Sequence, residues 1–304
     1  MYCFGQVCQY LVSTEIPAHV KNVNVRQHLM RKVKLHPNAL NVSSNERKLN
    51  AQSLKTHFQV VMGAKMNSRL AGKKALIIGA GGGMGKAISA ALAGEGVTSV
   101  LLGRSESSLS DAADACAKQG APGIPLTFDI AQIDSIEKVV SEATDILGGL
   151  NFLVNCAGIY EGGAAHEIDL DKWDKKLDIN FRAHYYFVRY AAPAINKEPG
   201  GAIIKIGSVA SSYPGGGMAL ASTYAQNGYM GAVFEDVREY GTKVCVIRPG
   251  FVNTQMARSD RLNSDLMIQP DDIAHTVIYV LSMSGTGCPT EIVILPQKSP
   301  YRTV

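Results

Sequence analysis

Residues 75–89 read ALIIGAGGGMGKAIS, and this stretch decides the fold. An apolar run typical of a buried strand ends at Gly79, and a helix-like segment begins near residue 84. Between them lies a glycine-rich loop in which Gly79, Gly83 and Gly85 have the spacing GxxxGxG. A helix N-terminus offers unpaired N–H groups to a pyrophosphate, and glycines let it approach closely. The stretch therefore predicts a strand, a phosphate-binding loop and a helix.

The same alternation of strand and helix continues along the chain. Strands are predicted at 75–79, 99–103, 124–129, 151–155, 202–207, 243–248 and 291–295. Helices are predicted near 84–94, 106–119, 134–147, 171–195, 229–240 and 271–283. Near-continuous apolar strands that alternate with helices indicate a parallel sheet covered on both faces. We therefore predict an α/β fold, a Rossmann-type doubly wound sheet of seven parallel strands, formed by residues 66–304 as a single domain.

Short motifs follow the predicted strand ends, which is where such sheets bind ligands. Asn155-Cys156-Ala157-Gly158 follows the fourth strand, Ser208 follows the fifth, and Pro249-Gly250 follows the sixth. Together with the GxxxGxG loop, these motifs resemble the short-chain dehydrogenase/reductase family over residues 72–296. The resemblance implies hydride transfer between NAD(P)H and the carbon of an alcohol or carbonyl group.

The resemblance also implies a cofactor site along the strand ends. In the family an aspartate placed like Asp129 contacts the adenine, and residues placed like Val252 and Thr254 face the nicotinamide amide. Met84 stands where the related GxGxxG motif has its third glycine. The residues implied are Gly79, Gly83, Met84, Gly85, Asp129, Ile130, Asn155, Ala157, Gly158, Pro249, Gly250, Val252 and Thr254.

The end of the second strand bears on the choice between NAD and NADP. A carboxylate there would bind the ribose 2′-hydroxyl of NAD, and neither residue 103 nor residue 104 supplies one. Arg104 can instead pair with a 2′-phosphate. We predict NADP as the cofactor, with NAD as the open alternative and a solvated surface role as the alternative for Arg104.

The resemblance implies the catalytic residues Asn180, Ser208 and Tyr224, with Ser211 as a rival to Ser208. A tyrosine has a pKa of about 10 in water, so proton exchange near neutral pH needs a nearby cation. In the family a lysine four residues after the tyrosine supplies it, from the same helix face. Here that position is Gly228.

The distance to the Pro249-Gly250 motif indicates more than one substitution. Residues from Gly228 onward fit the family without a gap, whereas the family's tyrosine lies several residues further upstream. The lysine and about one helical turn are therefore expected to be missing together. Asn227-Gly228 predicts a turn or helix break, with Tyr224 outside the helix at 229–240.

Three interpretations of the missing lysine and helical turn stay open. The chain is a working reductase or dehydrogenase with a rearranged site, or a catalytically impaired protein that binds the cofactor and acts by assembly or sensing. The third is an active enzyme whose gene model is truncated. Of these, we predict the enzyme, an NADP-dependent oxidoreductase acting on CH–OH groups.

Residues 1–65 differ in charge from the remainder. They contain nine Lys or Arg and two acidic residues, whereas residues 66–304 contain 21 and 24. The basic excess belongs to this N-terminal extension, which we predict to be disordered, a targeting segment or over-predicted. We therefore expect a cytoplasmic protein, or a mitochondrial one if the extension is a transit peptide.

The remaining patterns limit the partners. No apolar run approaches the roughly 18 residues of a membrane span, and the acidic balance of residues 66–304 gives no reason to expect nucleic-acid binding. The six cysteines contain no CxxC pair, so no metal is predicted. We expect a small alcohol or carbonyl substrate and a homo-oligomer, with Tyr185, Tyr186, Phe187 and Tyr190 as candidate interface residues.

Overall fold

The computed structural model describes residues 68–160, 163–164, 166–212 and 221–301. The predicted extension 1–65 lies outside them. Seven strands form one sheet in the order β3-β2-β1-β4-β5-β6-β7, and every neighbouring pair is parallel. The strands are β1 Lys74–Ile78, β2 Thr98–Gly103, β3 Gly123–Thr127, β4 Phe152–Asn155, β5 Ala202–Ile206, β6 Lys243–Pro249 and β7 Glu291–Ile294. The predicted seven-stranded parallel sheet is confirmed.

Helices cover both faces of the sheet. They are α1 Gly83–Gly94, α2 Glu106–Gln119, α3 Ile136–Leu147, α4 Leu170–Leu177, α5 Ala183–Ile195, α6 Ala221–Val237 and α7 Pro270–Ser282. Alternate strand residues face opposite sides of the sheet, so the strands contribute side chains to two hydrophobic clusters. One cluster packs α1, α2 and α7 on one face, and the other packs α3, α5 and α6 on the other. The fold is therefore doubly wound, as predicted.

The order of the strands locates the crevice where a ligand would bind. The chain builds outward from β1 to β3 and then returns to place β4 on the other side of β1. At this reversal the loops after β1 and β4 turn to opposite faces, which opens a crevice at the carboxyl ends of the strands. The motifs noted in the sequence lie at this edge.

The predicted long helix 171–195 is interrupted. A π-helical turn, Asp178–Arg182, separates α4 from α5, and it contains Asn180. Such turns insert one extra residue into a helix and occur often at functional sites. Apolar periodicity cannot reveal the interruption, because buried residues continue on both sides of it.

The predicted helix break at Asn227-Gly228 is wrong. α6 runs without interruption from Ala221, so Tyr224 lies inside the helix. A glycine within a helix costs about 1 kcal/mol relative to alanine. That cost is small beside the burial of one face of α6, whose buried residues at helical spacing are Ser222, Gln226, Met230, Val233 and Val237.

Candidate active site

The glycine loop after β1 leaves room that any side chain would fill. Gly79 has a φ of +79°, and a Cβ there would lie 2.9 Å from the backbone nitrogen of Ala157. At Gly85 a Cβ would collide with the carbonyl oxygen of Gly79 and lie 2.8 Å from the Cα of Ala80. These close backbone approaches form a cradle at the N-terminus of α1. Its shape and its free N–H groups fit the pyrophosphate of a dinucleotide.

The loop after β6 forms the opposite wall of this cradle. A Cβ at Gly83 would lie 3.0 Å from the Cγ2 atom of Thr254. Thr254 is held by a hydrogen bond of 2.7 Å from its backbone N–H to the carbonyl of Val252. Gly250 donates its N–H to Ile294 on β7 at 2.8 Å. Pro249 is buried at the end of β6, and Val252 is buried as well.

Arg104 lies directly after β2, at the start of α2. It is exposed, and a cluster of serine hydroxyls surrounds the helix N-terminus beside it. Ser105 caps α2, and its Oγ atom lies 3.0 Å from the hydroxyls of both Ser107 and Ser108. A Cβ at Gly81 would lie 2.9 Å from the Cβ of Ser108, so this corner adjoins the glycine loop.

Three other predicted cofactor residues have structural roles as well. The Asp129 carboxylate accepts a hydrogen bond of 3.1 Å from the N–H of Ala131, which fixes the turn after β3. Ile130 is buried in the core, and Met84 packs against the core from α1. These positions lie at the carboxyl ends of β3 and β1, where the sequence placed them.

The segment after β4 is held by a lysine that the sequence analysis missed. Lys205 lies on β5 and is only 1 % exposed. Its Nζ atom donates to the carbonyl of Ala157 at 2.8 Å and to the Oδ1 atom of Asn155 at 3.3 Å. The same Oδ1 atom accepts from the N–H of Ala157 at 2.9 Å. A lysine inside the apolar run AIIKIG was the signal that could have revealed it.

His184 on α5 extends this network. Its Nδ1 atom lies 3.1 Å from the Nδ2 atom of Asn155, and its Nε2 atom lies 3.2 Å from the sulfur of Met230. Burial, with a smaller effect of the Lys205 charge, lowers the pKa of His184 well below 6.5. Because an amide nitrogen only donates, Nδ1 of a neutral imidazole accepts and Nε2–H donates to the sulfur.

Asn180 clamps the chain beyond the Gly158 motif. Its Oδ1 atom accepts from the N–H of Ile159 at 2.8 Å, and its Nδ2 atom donates to the carbonyl of Ile159 at 2.9 Å. Nδ2 is also 3.5 Å from the hydroxyl of Ser222, and the side chain of Gln226 donates to the Asn180 carbonyl. The face of α6 that meets Asn180 therefore carries Ser222 and Gln226, two residues that the sequence analysis missed.

Ser208 lies in the loop after β5 and is half-buried. Its Oγ atom accepts from the N–H of Ala210 at 3.1 Å, and its carbonyl accepts from the hydroxyl of Ser211 at 2.9 Å. Asn227 on α6 donates to the Ser211 hydroxyl at 2.8 Å. Ser211 thus holds the loop against α6, whereas the Ser208 hydroxyl has a proton left to donate within the part of the chain that the structure describes.

Tyr224 is not brought to Asn180 or Ser208 by any described contact. Its side chain is 45 % exposed. Two residues along an α-helix rotate the side chain by about 200°, so Tyr224 points away from the face that carries Ser222 and Gln226. Gly228, one turn further along α6, is exposed, and a Cβ there would meet nothing within 4 Å.

The described ranges contain neither a candidate metal site nor a candidate membrane-spanning helix. Among residues 68–160, 163–164, 166–212 and 221–301, no group of three or more His, Cys, Asp or Glu side chains could hold a metal ion. Within the same ranges, no helix combines the length and the hydrophobicity needed to cross a membrane.

The chain is similar to known oxidoreductases over most of its length. Residues 73–265 match the family described as short chain dehydrogenase. An uncharacterised oxidoreductase of Staphylococcus aureus strain MRSA252 is 27 % identical over 234 residues, which cover 75 % of this chain and 98 % of the relative.

Solved structures agree with this similarity. A short-chain dehydrogenase from Burkholderia cenocepacia in complex with NADP is 28 % identical, with a TM-score of 0.69 over 75 % of this chain and 98 % of that one. A short-chain dehydrogenase/reductase from Serratia marcescens is 27 % identical, with the same TM-score and coverage. This chain is therefore a member of the short-chain dehydrogenase/reductase family of oxidoreductases.

Proposed function

We propose that this oxidoreductase binds NADP(H) at the carboxyl edge of its sheet and acts on a small substrate that carries an alcohol or carbonyl group. When bound, the cofactor supplies or accepts the hydride. NAD(H) is the alternative cofactor. The observation that carries the proposal is the backbone cradle in which Gly79 and Gly85 leave no room for a Cβ.

The chain's own residues have distinct roles in this proposal. Gly83 and Gly85 expose backbone N–H groups to the pyrophosphate, with Thr254 on the other wall. Gly79, whose N–H donates to the Leu102 carbonyl, contributes a close approach free of side-chain atoms. Further contacts are proposed for Met84, Asp129, Ile130, Asn155, Ala157, Gly158, Pro249, Gly250 and Val252. Asn180 fixes the loop after Gly158. The Ser208 hydroxyl donates to the substrate oxygen. Tyr224 is proposed to exchange its proton with that oxygen, which requires its exposed side chain to turn towards the site.

Arg104 is proposed to bind the 2′-phosphate of NADP(H), with the serine hydroxyls at the start of α2 beside it. Arg104→Ala should weaken NADPH binding about tenfold, because a charge-assisted contact contributes on the order of 1.5 kcal/mol, and leave NADH binding within about twofold. Fluorescence titration with both cofactors measures the change in preference.

The matched control for Arg104 is Arg189→Ala, which removes an exposed arginine from α5. Both variants lower the net charge equally, so a general effect on anion binding would appear in both. Equal losses of NADPH affinity in the two variants, or an equal loss of NADH affinity in Arg104→Ala, would contradict the assignment.

The lysine missing from the family pattern can be restored by one substitution. Gly228→Lys places an ammonium one helical turn after Tyr224, in open space on α6. If Tyr224 is the acid or base, the cation should favour the phenolate and raise turnover about tenfold or more. The measurement is kcat for NADPH-dependent reduction of a panel of aldehydes and ketones.

Two controls separate charge from helix stability in this experiment. Gly228→Ala improves the helix without adding charge. Gly231→Lys adds a lysine in open space about two turns, or roughly 10 Å, along α6 from Tyr224. Only Gly228→Lys is expected to raise turnover, and Tyr224→Phe in that background should abolish the gain. A gain that survives Tyr224→Phe would exclude Tyr224 as the proton donor.

A second candidate function is cofactor binding without turnover, through which the protein would act by assembly or sensing. The exposure of Tyr224 and the glycine at position 228 favour it. The full-length chain, titrated with NADPH and assayed over the carbonyl panel, distinguishes the two functions. Binding with turnover supports the oxidoreductase, and binding without turnover supports the second candidate. No binding of NADPH or NADH contradicts both.

The assembly and location are proposals too. We propose a homo-oligomer through α5 and α6, where half-buried aromatic rings contact one another, among them Tyr185, Tyr186, Tyr190 and Tyr229. Phe187 is fully buried in the core, so its assignment to that surface is corrected. We also propose a cytoplasmic protein whose residues 66–304 form one domain; light scattering measures the oligomeric state.

A further inference from the structure

Lys205 is a buried cation with no described carboxylate partner. Its ammonium is bound by two neutral acceptors, the carbonyl of Ala157 and the side-chain oxygen of Asn155. Burying a charged ammonium costs desolvation free energy unless it is well paired, so Lys205 destabilises strand β5 at this position. The position itself is informative, because Lys205 precedes Ser208 by three residues and lies behind the loop after β4.

The network around Lys205 connects the cofactor cradle to the helices on one face of the sheet. From Lys205 it passes through Asn155 to His184 on α5 and then to Met230 on α6. At its other end Ala157 lies against Gly79, where a Cβ would be only 2.9 Å from the Ala157 nitrogen. Lys205 is therefore separated from the glycine loop by a single residue.

We propose that Lys205 is a positioning residue, whose ammonium fixes the Asn155–Gly158 segment against the glycine loop and makes dinucleotide affinity depend on pH. The inference rests on the proposed function, because it requires a dinucleotide in the cradle. Protonated Lys205 supplies a charge-assisted bond to the Ala157 carbonyl and a positive charge near the anionic cofactor. Loss of the proton removes the charge and weakens the bond.

The charges around Lys205 define the pH range. Burial lowers the pKa of Lys205 to about 8, with a smaller opposing effect of Cys156. Burial raises the pKa of Cys156, and that of Tyr229 beside His184, to about 12. On β6, Arg248 shares this face of the sheet and is paired with Glu291. His184 stays neutral, so Lys205 is the member of this network whose charge changes around pH 8.

The wild-type full-length protein provides the first test. NADPH and NADH affinities are measured by fluorescence from pH 7 to 9.5, and both should fall about tenfold as Lys205 loses its proton. Because linkage is reciprocal, cofactor binding should raise the pKa of Lys205 and take up a fraction of a proton near pH 8. Calorimetry in two buffers of different ionisation enthalpy measures that uptake. No uptake with either cofactor would overturn the inference.

Two variants identify the residue responsible. Lys205→Arg keeps a positive charge throughout this range and should bind with an affinity that does not change with pH. Lys205→Gln should bind more weakly at pH 7 and also show no pH dependence. A tenfold pH dependence that persists in Lys205→Gln would overturn the inference and leave the proposed function standing. Failure of the wild type to bind NADPH or NADH at any pH would overturn both.

Discussion

Gly85→Ala is expected to lower NADPH affinity about 100-fold and to destabilise the fold by about 3 kcal/mol. The new methyl group would meet backbone atoms only, namely the carbonyl of Gly79 and the Cα of Ala80, so no flexible side chain can yield. The strand-to-helix connection would have to shift, and the N–H groups of the cradle would move with it. Fluorescence titration measures the affinity, and urea unfolding measures the free energy.

Gly231→Ala is the control for this substitution. Gly231 lies inside α6, where a Cβ would meet nothing within 4 Å, so alanine should stabilise the helix by up to about 1 kcal/mol. NADPH affinity should not change. A Gly85→Ala protein that binds NADPH as tightly as the wild type would show that the cradle is not the cofactor site, even if the fold is destabilised as expected.

The sheet could be predicted from the sequence because its signals are local. Every predicted strand overlaps an observed one, and no end differs by more than two residues. Each strand is a short apolar run that ends in glycine, polar residues or proline. The five inner strands are buried on both faces, whereas the edge strands β3 and β7 are partly exposed. The motif after each strand could also be placed, because the carboxyl ends of parallel strands share one edge of the sheet.

Features set by contacts between distant segments could not be predicted. The Asn227-Gly228 pair resembles a turn, but Asn227 contacts Ser211 and its neighbour Gln226 contacts Asn180, and these contacts hold α6 together. The π-helical turn around Asn180 depends on the same packing. The burial and contacts of Lys205 could not be predicted from the sequence, because its network joins residues from β4, α5 and α6. Tertiary contacts overrode the local preference in each case.

The free energy of unfolding should rise by about 2 kcal/mol between pH 7 and 10 in the wild type relative to Lys205→Met. Burial holds the folded-state pKa of Lys205 at about 8, against 10.5 for the ordinary group. Below pH 8 the folded protein carries the full cost of this depressed pKa, about 3 kcal/mol. As pH rises from 8 towards 10.5, the unfolded chain binds more protons than the folded one, so stability increases.

Comparison with the variant isolates this effect from other titrations. Burial raises the pKa values of Cys116 and Cys245 to about 11 and 12, and such groups lower stability as pH rises above their unfolded values. These losses are common to the wild type and Lys205→Met, so they cancel in the difference between the two. The control is Lys197→Met, which removes an exposed lysine and should differ from the wild type by the same free energy at every pH. A flat difference for Lys205→Met as well would mean that Lys205 titrates normally. If the free energy of unfolding rises with pH while dinucleotide affinity falls, and both changes depend on Lys205, then the same buried ammonium causes both.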